Sequence, residues 1–214
     1  MQRYLILLAL LLCGKISLAQ NDSVPVTELN TFKEGLYITH EDFRKNNSIP
    51  KENIVTKIDK EQIDFYYKVT LTEKIDYLIA GNTYTVESKK VWGFVQNKTL
   101  FLNYNGAFFR VPVFGAICYF AGIVEVTGYY NGIYDPMFGS GMGRAVKTKE
   151  LNEFMISYYN GKVVNFDVDY LDLLLRGDED IYKQFKSISR RKRSREATRF
   201  IRMYNEKHPV YYLK

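Results

Sequence analysis

Short apolar runs separated by turn residues dominate residues 53 to 120. β-branched and aromatic residues recur in these runs, as they do in strands. The turn signals between them are Gly81-Asn82, Gln96-Asn97-Lys98 and Asn105-Gly106. Antiparallel neighbours joined by tight turns are the simplest arrangement of such runs. We therefore predict that this part of the chain forms a mostly antiparallel sheet.

Four more runs and one proline extend this prediction. "IDFYYKVTL" (63–71) and "AICYFAGIVEV" (116–126) have the composition of strands. Asn160-Gly161 separates two apolar-rich runs and is the strongest hairpin signal in the chain. Pro112 lacks an N–H donor and indicates an edge position or a bulge.

The hydrophobic period changes near residue 169, and helices are predicted from there. Asp167 or Asp169 can cap the first helix, Asp178 the second, and Ser189 or Ser194 the last. In the last helix Ala197, Phe200, Ile201 and Tyr204 form one apolar stripe, and His208-Pro209 ends it. The predicted fold class is α+β: a mostly antiparallel sheet followed by C-terminal helices packed on it. One domain is expected over 32–214, sheet-rich over 32–168 and helical over 169–208.

The first nineteen residues have the layout of a secretory signal peptide. Arg3 precedes a ten-residue apolar run from Tyr4 to Cys13, and small Ser17 and Ala19 precede a possible cleavage site. That run is shorter than the ~20 residues of a membrane span. Cys13 raises the alternative of a lipoprotein, but Leu12 replaces the small residue usual before a lipidated cysteine. We expect soluble export to the periplasm, cell envelope or exterior, with 20–31 as a flexible leader and no membrane span in the mature chain.

Export would leave Cys118 as the one cysteine of the mature chain, so no internal disulfide is expected. Cys118 lies inside the apolar run "FGAICYFAGIV". A free cysteine in such a run is more often a small buried hydrophobe than a reactive thiol.

Sequence patterns of common catalytic and metal sites are absent. Arg144 stands where a dinucleotide-binding loop needs glycine, and Ser140 lies in no G-x-S-x-G pattern. The chain has two histidines and no H-E-x-x-H motif, and its acidic cluster near 167–180 lacks the spacing of a calcium loop. We predict no catalytic residue, metal or cofactor. A carboxylate pair for glycoside hydrolysis stays open, because it is set by distance in space.

The C-terminal end is strongly basic. Residues 183–214 carry eleven Lys/Arg and two Glu, whereas 20–182 carry seventeen basic and twenty-two acidic residues. The candidate binding residues here are Arg190, Arg191, Lys192, Arg193 and Arg195. In an exported protein these cations would meet acidic glycans, phospholipid head groups or lipopolysaccharide phosphates rather than nucleic acid. The alternative is a solvated helix face without a ligand.

A second candidate surface is the segment "GYYNGIYDPMFGSGMGR" (128–144). Its candidate contact residues are Tyr129, Tyr130, Tyr134 and Phe138. These rings are too apolar for a solvated linker, so they either pack onto the sheet or form a contact surface. Both possibilities are open at this point.

"GLYITHEDF", "WGFVQNKTLFLNYNGAFFRV" with "CYF" after it, and "YNEKHPVYY" resemble a group of uncharacterised secreted proteins of Bacteroidota-type bacteria. The resemblance covers nearly the whole mature chain. It implies export and a single α+β domain, and it assigns no activity or site residue.

These observations favour an exported, non-enzymatic protein that binds an envelope component or a protein partner, with peripheral membrane contact possible. The alternatives are a secreted hydrolase acting on glycan or peptide through acidic residues, and a structural assembly subunit.

Overall fold

The computed structural model describes residues 23–26, 32–130 and 144–213. Its strands are β1 (Ser23–Val26), β2 (Gly35–Tyr37), β3 (Ile54–Val55), β4 (Lys74–Ile79), β5 (Asn82–Glu87), β6 (Gly93–Gln96), β7 (Thr99–Tyr104), β8 (Ala107–Arg110), β9 (Ile117–Tyr130), β10 (Arg144–Ser157), β11 (Val163–Asn165) and β12 (Val210–Leu213). Its helices are α1 (His40–Arg44), α2 (Phe65–Thr70), α3 (Val168–Leu175), α4 (Glu179–Lys186), α5 (Arg190–Arg195) and α6 (Ala197–Lys207). Antiparallel sheets followed by C-terminal helices confirm the predicted α+β class.

The strands form antiparallel sheets in the orders β2-β6-β7-β8, β3-β4-β5, β11-β10-β9 and β1-β12. The predicted hairpins are confirmed by the pairs Ile79↔Asn82, Gln96↔Thr99 and Tyr104↔Ala107, although the first turn is Ala80-Gly81, one residue before the predicted Gly81-Asn82. Both residues between each of these pairs have positive φ. Positive φ at both central residues is the geometry of the turn that best matches the twist of a hairpin.

β9 and β10 are fourteen residues each and form a long hairpin. One face of this hairpin packs against the four-stranded sheet, and the other packs against the C-terminal helices. Phe120 and Phe154 pack with Leu100 and Leu102 of the four-stranded sheet, in what we call the sheet core. Side chains of opposite parity, such as Met155, pack with α3, α4 and α6 in the helix core. Because successive side chains of a strand point to opposite faces, one face of this hairpin contributes to the sheet core and the other to the helix core.

A third cluster covers the other face of the four-stranded sheet. Phe94 of β6 packs there with Phe65 and Val69 of α2. Phe108 joins this cluster, whereas its neighbour Phe109 packs against the sheet core. Adjacent aromatic residues on a strand thus fill opposite cores, as the pleat requires.

The prediction of a strand over 63–71 is wrong, because Phe65–Thr70 forms helix α2. Phe65 and Val69, four residues apart, are buried on one side, and Tyr67 is exposed. Lys68 lies 3.0 Å from Asp64, an ion pair at the i,i+4 spacing that is typical of a helix. Burial of one helical face therefore outweighs the strand-like composition of the run.

The C-terminal helices begin where the sequence indicates, with Asp167, Asp178 and Ser189 as their N-caps. The predicted last helix is two helices, because the chain leaves helical geometry at Glu196 between α5 and α6. The apolar stripe of α6 faces the helix core. β12 pairs with β1, which lies inside the segment predicted as a flexible leader.

Candidate binding surface

Helix α5 holds all five predicted basic residues, and the structure divides them by role. Arg190 is paired with Asp169 at 2.9 Å, and Lys192 lies 3.6 Å from Glu196. The first pair is exposed, and the second joins exposed Lys192 to half-buried Glu196 at a longer distance, so both restrain these cations only weakly.

Arg193 has a structural role instead of facing solvent. Its side chain is 18% exposed, and its guanidinium lies 3.9 Å from Asp172. Its Nε donates to the Ile188 carbonyl at 3.0 Å, and the guanidinium sits 5.5 Å from the centre of the Phe185 ring. Arg193 therefore fastens α5 to the helix core and is a poor candidate for binding a ligand.

Arg191 and Arg195 are exposed and have no ion pair within the described residues. They lie four positions apart, so they share one face of α5. This face is the part of the basic segment that is available to an external anion.

An open cavity of about 480 Å³ adjoins α5 and is lined by Phe166, Asp167, Val168, Arg190, Arg191 and Ser194. The Phe166 ring is half-buried and stands perpendicular to Tyr119 at 5.9 Å between ring centres. Burial of Tyr119 and its hydrogen bond with Glu153 both raise the pKa of that phenol, so it stays protonated. The cavity thus combines the guanidinium groups of Arg190 and Arg191 with a carboxylate, a hydroxyl and an aromatic ring.

A second cavity, of about 360 Å³, shares Phe166 with the first. Its other lining residues are Leu151, Asn152, Glu153 and Asn165. It lies beside β10, at the point where β11 ends. The two cavities are therefore neighbours that share Phe166 as a lining residue.

Asp172 holds the helices under this surface together. Its carboxylate is 2.9 Å from Lys186 and 3.5 Å from Arg176. Burial by itself raises the pKa of Asp172, but the two cations outweigh it and the pKa lies below its ordinary value. The buried carboxylate is therefore ionised and neutralised from two helices.

The aromatic candidates in 128–144 are only partly covered by the structure. Tyr129 and Tyr130 belong to β9, where their backbones pair with Ala145 and Arg144 of β10. Tyr134 and Phe138 lie outside the described residues. Whether these rings are packed or in contact with a partner stays a prediction.

Beyond the helix core, β9 and β10 continue as a two-stranded arm, which we define as 121–130 with 144–153; on its other face Val124 still packs against the sheet core. Ile123 and Leu151 are directly opposite each other in the ladder and are 63% and 72% exposed. Sequence reasoning missed this pair, because it treated Ile123 as part of a core strand and did not single out Leu151. The alternation of "AGIVEVT" with a charged partner strand was the available signal.

His40, His208 and Cys118 each contact groups that belong to the fold rather than to an open site. His40 lies 2.9 Å from the Tyr158 carbonyl, and burial lowers its pKa. His208 lies 3.2 Å from Asp178, the N-cap of α4. Cys118 is buried, as predicted, and burial raises the pKa of its thiol to about 12.

Within the described residues, no three His, Cys, Asp or Glu side chains are grouped so that they could hold a metal ion. The same part of the chain contains no helix that is long and apolar enough to cross a membrane.

Comparison with models of protein families, with curated proteins and with solved structures found no match.

Proposed function

We propose that this protein is an exported, non-enzymatic binding protein that attaches to an anionic component of the cell envelope through α5. The observation that carries this proposal is the pair Arg191 and Arg195, exposed on one helix face without ion pairs in the described chain. Export rests on the signal peptide predicted for 1–19.

The chemistry of the surface supports an anion as ligand. Guanidinium groups bind carboxylates and phosphates through paired hydrogen bonds, and Arg191 lines the cavity beside Phe166. Each Lys or Arg near an anionic surface contributes about 1 kcal/mol. Removing both charges should therefore weaken binding by about 2 kcal/mol, or roughly thirty-fold.

The test is co-sedimentation of the mature chain with native envelope vesicles over a salt series. The variant Arg191→Gln/Arg195→Gln should bind roughly thirty-fold more weakly at low salt, and wild-type binding should weaken as salt screens exposed charge. The matched control is Lys33→Gln/Lys57→Gln, which removes the same charge from exposed positions outside the C-terminal helices. An equal loss of vesicle binding in both variants would show that net charge alone, and not α5, determines binding. Absence of vesicle binding by the wild type would refute the proposal.

A second candidate, a glycan hydrolase, is favoured by one observation. Glu153 and Asp167 line the two cavities that meet at Phe166, and glycosidases use two carboxylates that flank the scissile bond. Release of reducing ends from envelope glycans, abolished by Glu153→Gln with binding retained, would favour this reading. Absence of any release over a panel of envelope glycans would exclude it for those glycans.

A further inference from the structure

The edge of β10 that faces away from β9 is paired with β11 for only a short distance. β11 pairs only with Phe154 to Ile156 of β10, and the chain then turns into α3. From Glu153 back to Arg144, the described chain places no strand beside this edge of β10. We call the segment 147–151 of β10 the open edge.

The backbone groups of the open edge have a defined direction. The Phe166 N–H donates to the Glu153 carbonyl at 2.8 Å, so Glu153 faces the β11 side. The Tyr158 N–H donates to the Ala116 carbonyl at 3.0 Å, so residues of even number face β9. Because the direction alternates along a strand, the N–H and C=O groups of Lys149 and Leu151 point away from β9 toward the open side.

The side chains of the open edge are exposed as well. Leu151 is 72% exposed and borders the 360 Å³ cavity where β11 ends. Lys149 is opposite Glu125 in the ladder but forms no ion pair within the described residues, because Glu125 pairs with Lys147 at 3.6 Å instead. The edge therefore presents one apolar and one unneutralised cationic side chain, two residues apart on the same face.

The arm is covered on one face only, where Val124 packs against the sheet core, and its other face, with Ile123 and Leu151, is exposed. Isolated two-stranded hairpins are marginal in water, and a third strand with a covered face is usually needed. Proteins that bind extended peptides at a sheet edge gain affinity from main-chain hydrogen bonds and specificity from alternate side chains. The open edge has free main-chain groups and exposed alternate side chains, and it lies next to the place where β11 ends.

We propose that the open edge binds an extended segment of a partner protein by antiparallel strand addition. The segment carries an apolar residue opposite Leu151 and an acidic residue opposite Lys149, two positions later in its own sequence. Antiparallel addition follows the direction of β11, and opposite charges across a ladder are favourable.

A second copy of β10 does not fit this edge. If the two open edges pair with each other, the copy places its own Lys147 and Lys149 opposite Leu151 and Lys149. The register that would place the copy's Glu153 opposite Lys149 is blocked, because Phe166 and β11 already pair with that part of the copy's edge. Its strand would also run past Glu153 into the place that β11 occupies. The occupant is therefore a different chain with acidic character.

The first test uses short synthetic peptides in which one valine and two following glutamates alternate with threonines. N-methylation of the peptide N–H groups that face β10 should weaken binding at least ten-fold, whereas methylation of the alternate N–H groups should leave it nearly unchanged. Hydrogen exchange of the complex should show new protection at the Lys149 and Leu151 amides. Equal effects of the two methylation patterns, or no binding by any peptide of the series, would overturn the proposal.

Variants of the protein provide an independent test. Lys149→Pro removes an outward N–H and should abolish peptide binding without breaking a bond to β9, because proline is tolerated at a free edge. Lys149→Thr keeps the N–H and should lose only the charge preference for glutamate. Arg191→Gln/Arg195→Gln should bind the peptides normally, which separates this inference from envelope binding. Self-association of the protein through the same amides, without peptide binding, would show that the occupant is wrong.

Discussion

Asn205 of α6 fastens the helix to the first residue of β9, and its removal should be costly. Its Oδ1 accepts from the Ile117 N–H at 2.9 Å, and its Nδ2 donates to the Ile117 carbonyl at 2.8 Å. Each such bond contributes about 1 kcal/mol net, and a partner left unpaired adds to the loss. We expect Asn205→Ala to lower the free energy of unfolding by about 2–3 kcal/mol.

The assay is urea unfolding followed by far-ultraviolet circular dichroism and by the fluorescence of Trp92, the single tryptophan. Glu206→Ala is the matched control, since it truncates the exposed neighbour on the same helix and should change stability by less than about 0.5 kcal/mol. If the two variants unfold at the same urea concentration, Asn205 does not fasten the helix as described.

A double-mutant cycle with Gly115 tests the same contact from the other side. A Cβ at Gly115 would overlap the Asn205 side chain. Gly115→Ala should therefore destabilise the wild type more than it destabilises Asn205→Ala, with a coupling free energy of at least about 1 kcal/mol. Additive effects would refute the steric contact.

Three further predictions concern titration, reactivity and turn geometry. The lowered pKa of Asp172 means that its ionised form stabilises the fold above about pH 4 and that this contribution is lost as the pH falls. Asp172→Asn should thus be less stable than the wild type at neutral pH and should lose less stability on acidification. Thermal unfolding measured from neutral to acidic pH tests this, and parallel stability curves for the variant and the wild type would contradict it. Cys118 should resist iodoacetamide at neutral pH until urea unfolds the chain, and modification of native protein would disprove its burial. Gly161→Ala should cost about 1–3 kcal/mol more than Gly81→Ala, because both have positive φ but only the first would overlap a side chain, the His40 ring; equal losses would show that the ring moves freely.

The antiparallel hairpins and the helix caps could be predicted, because their signals are local. Asn105-Gly106 adopts positive φ at both positions, which few other dipeptides tolerate. Asp178 accepts the Ile181 N–H at the start of α4, as an N-cap aspartate does. Each of these features depends on a handful of neighbouring residues.

Features that depend on distant contacts could not be predicted. Helix α2 forms because Phe65 and Val69 meet Phe94 across the outer face of the sheet, a contact that composition does not show. Arg193 looked like the other cations of its run, and only its approach to Phe185 and Asp172 separates it from them. The open edge was invisible for the same reason, since it is defined by where β11 stops.

The central hairpin also determines how the arm is aligned. At its base, a slip of one residue between β9 and β10 would turn Phe120 toward the helices or Met155 toward the four-stranded sheet. Either change would leave a cavity in one core and crowd side chains in the other, so only one register of β9 against β10 is compatible with both cores. The packed base therefore sets the register of the exposed ladder, and it fixes which face of the arm carries Lys149 and Leu151.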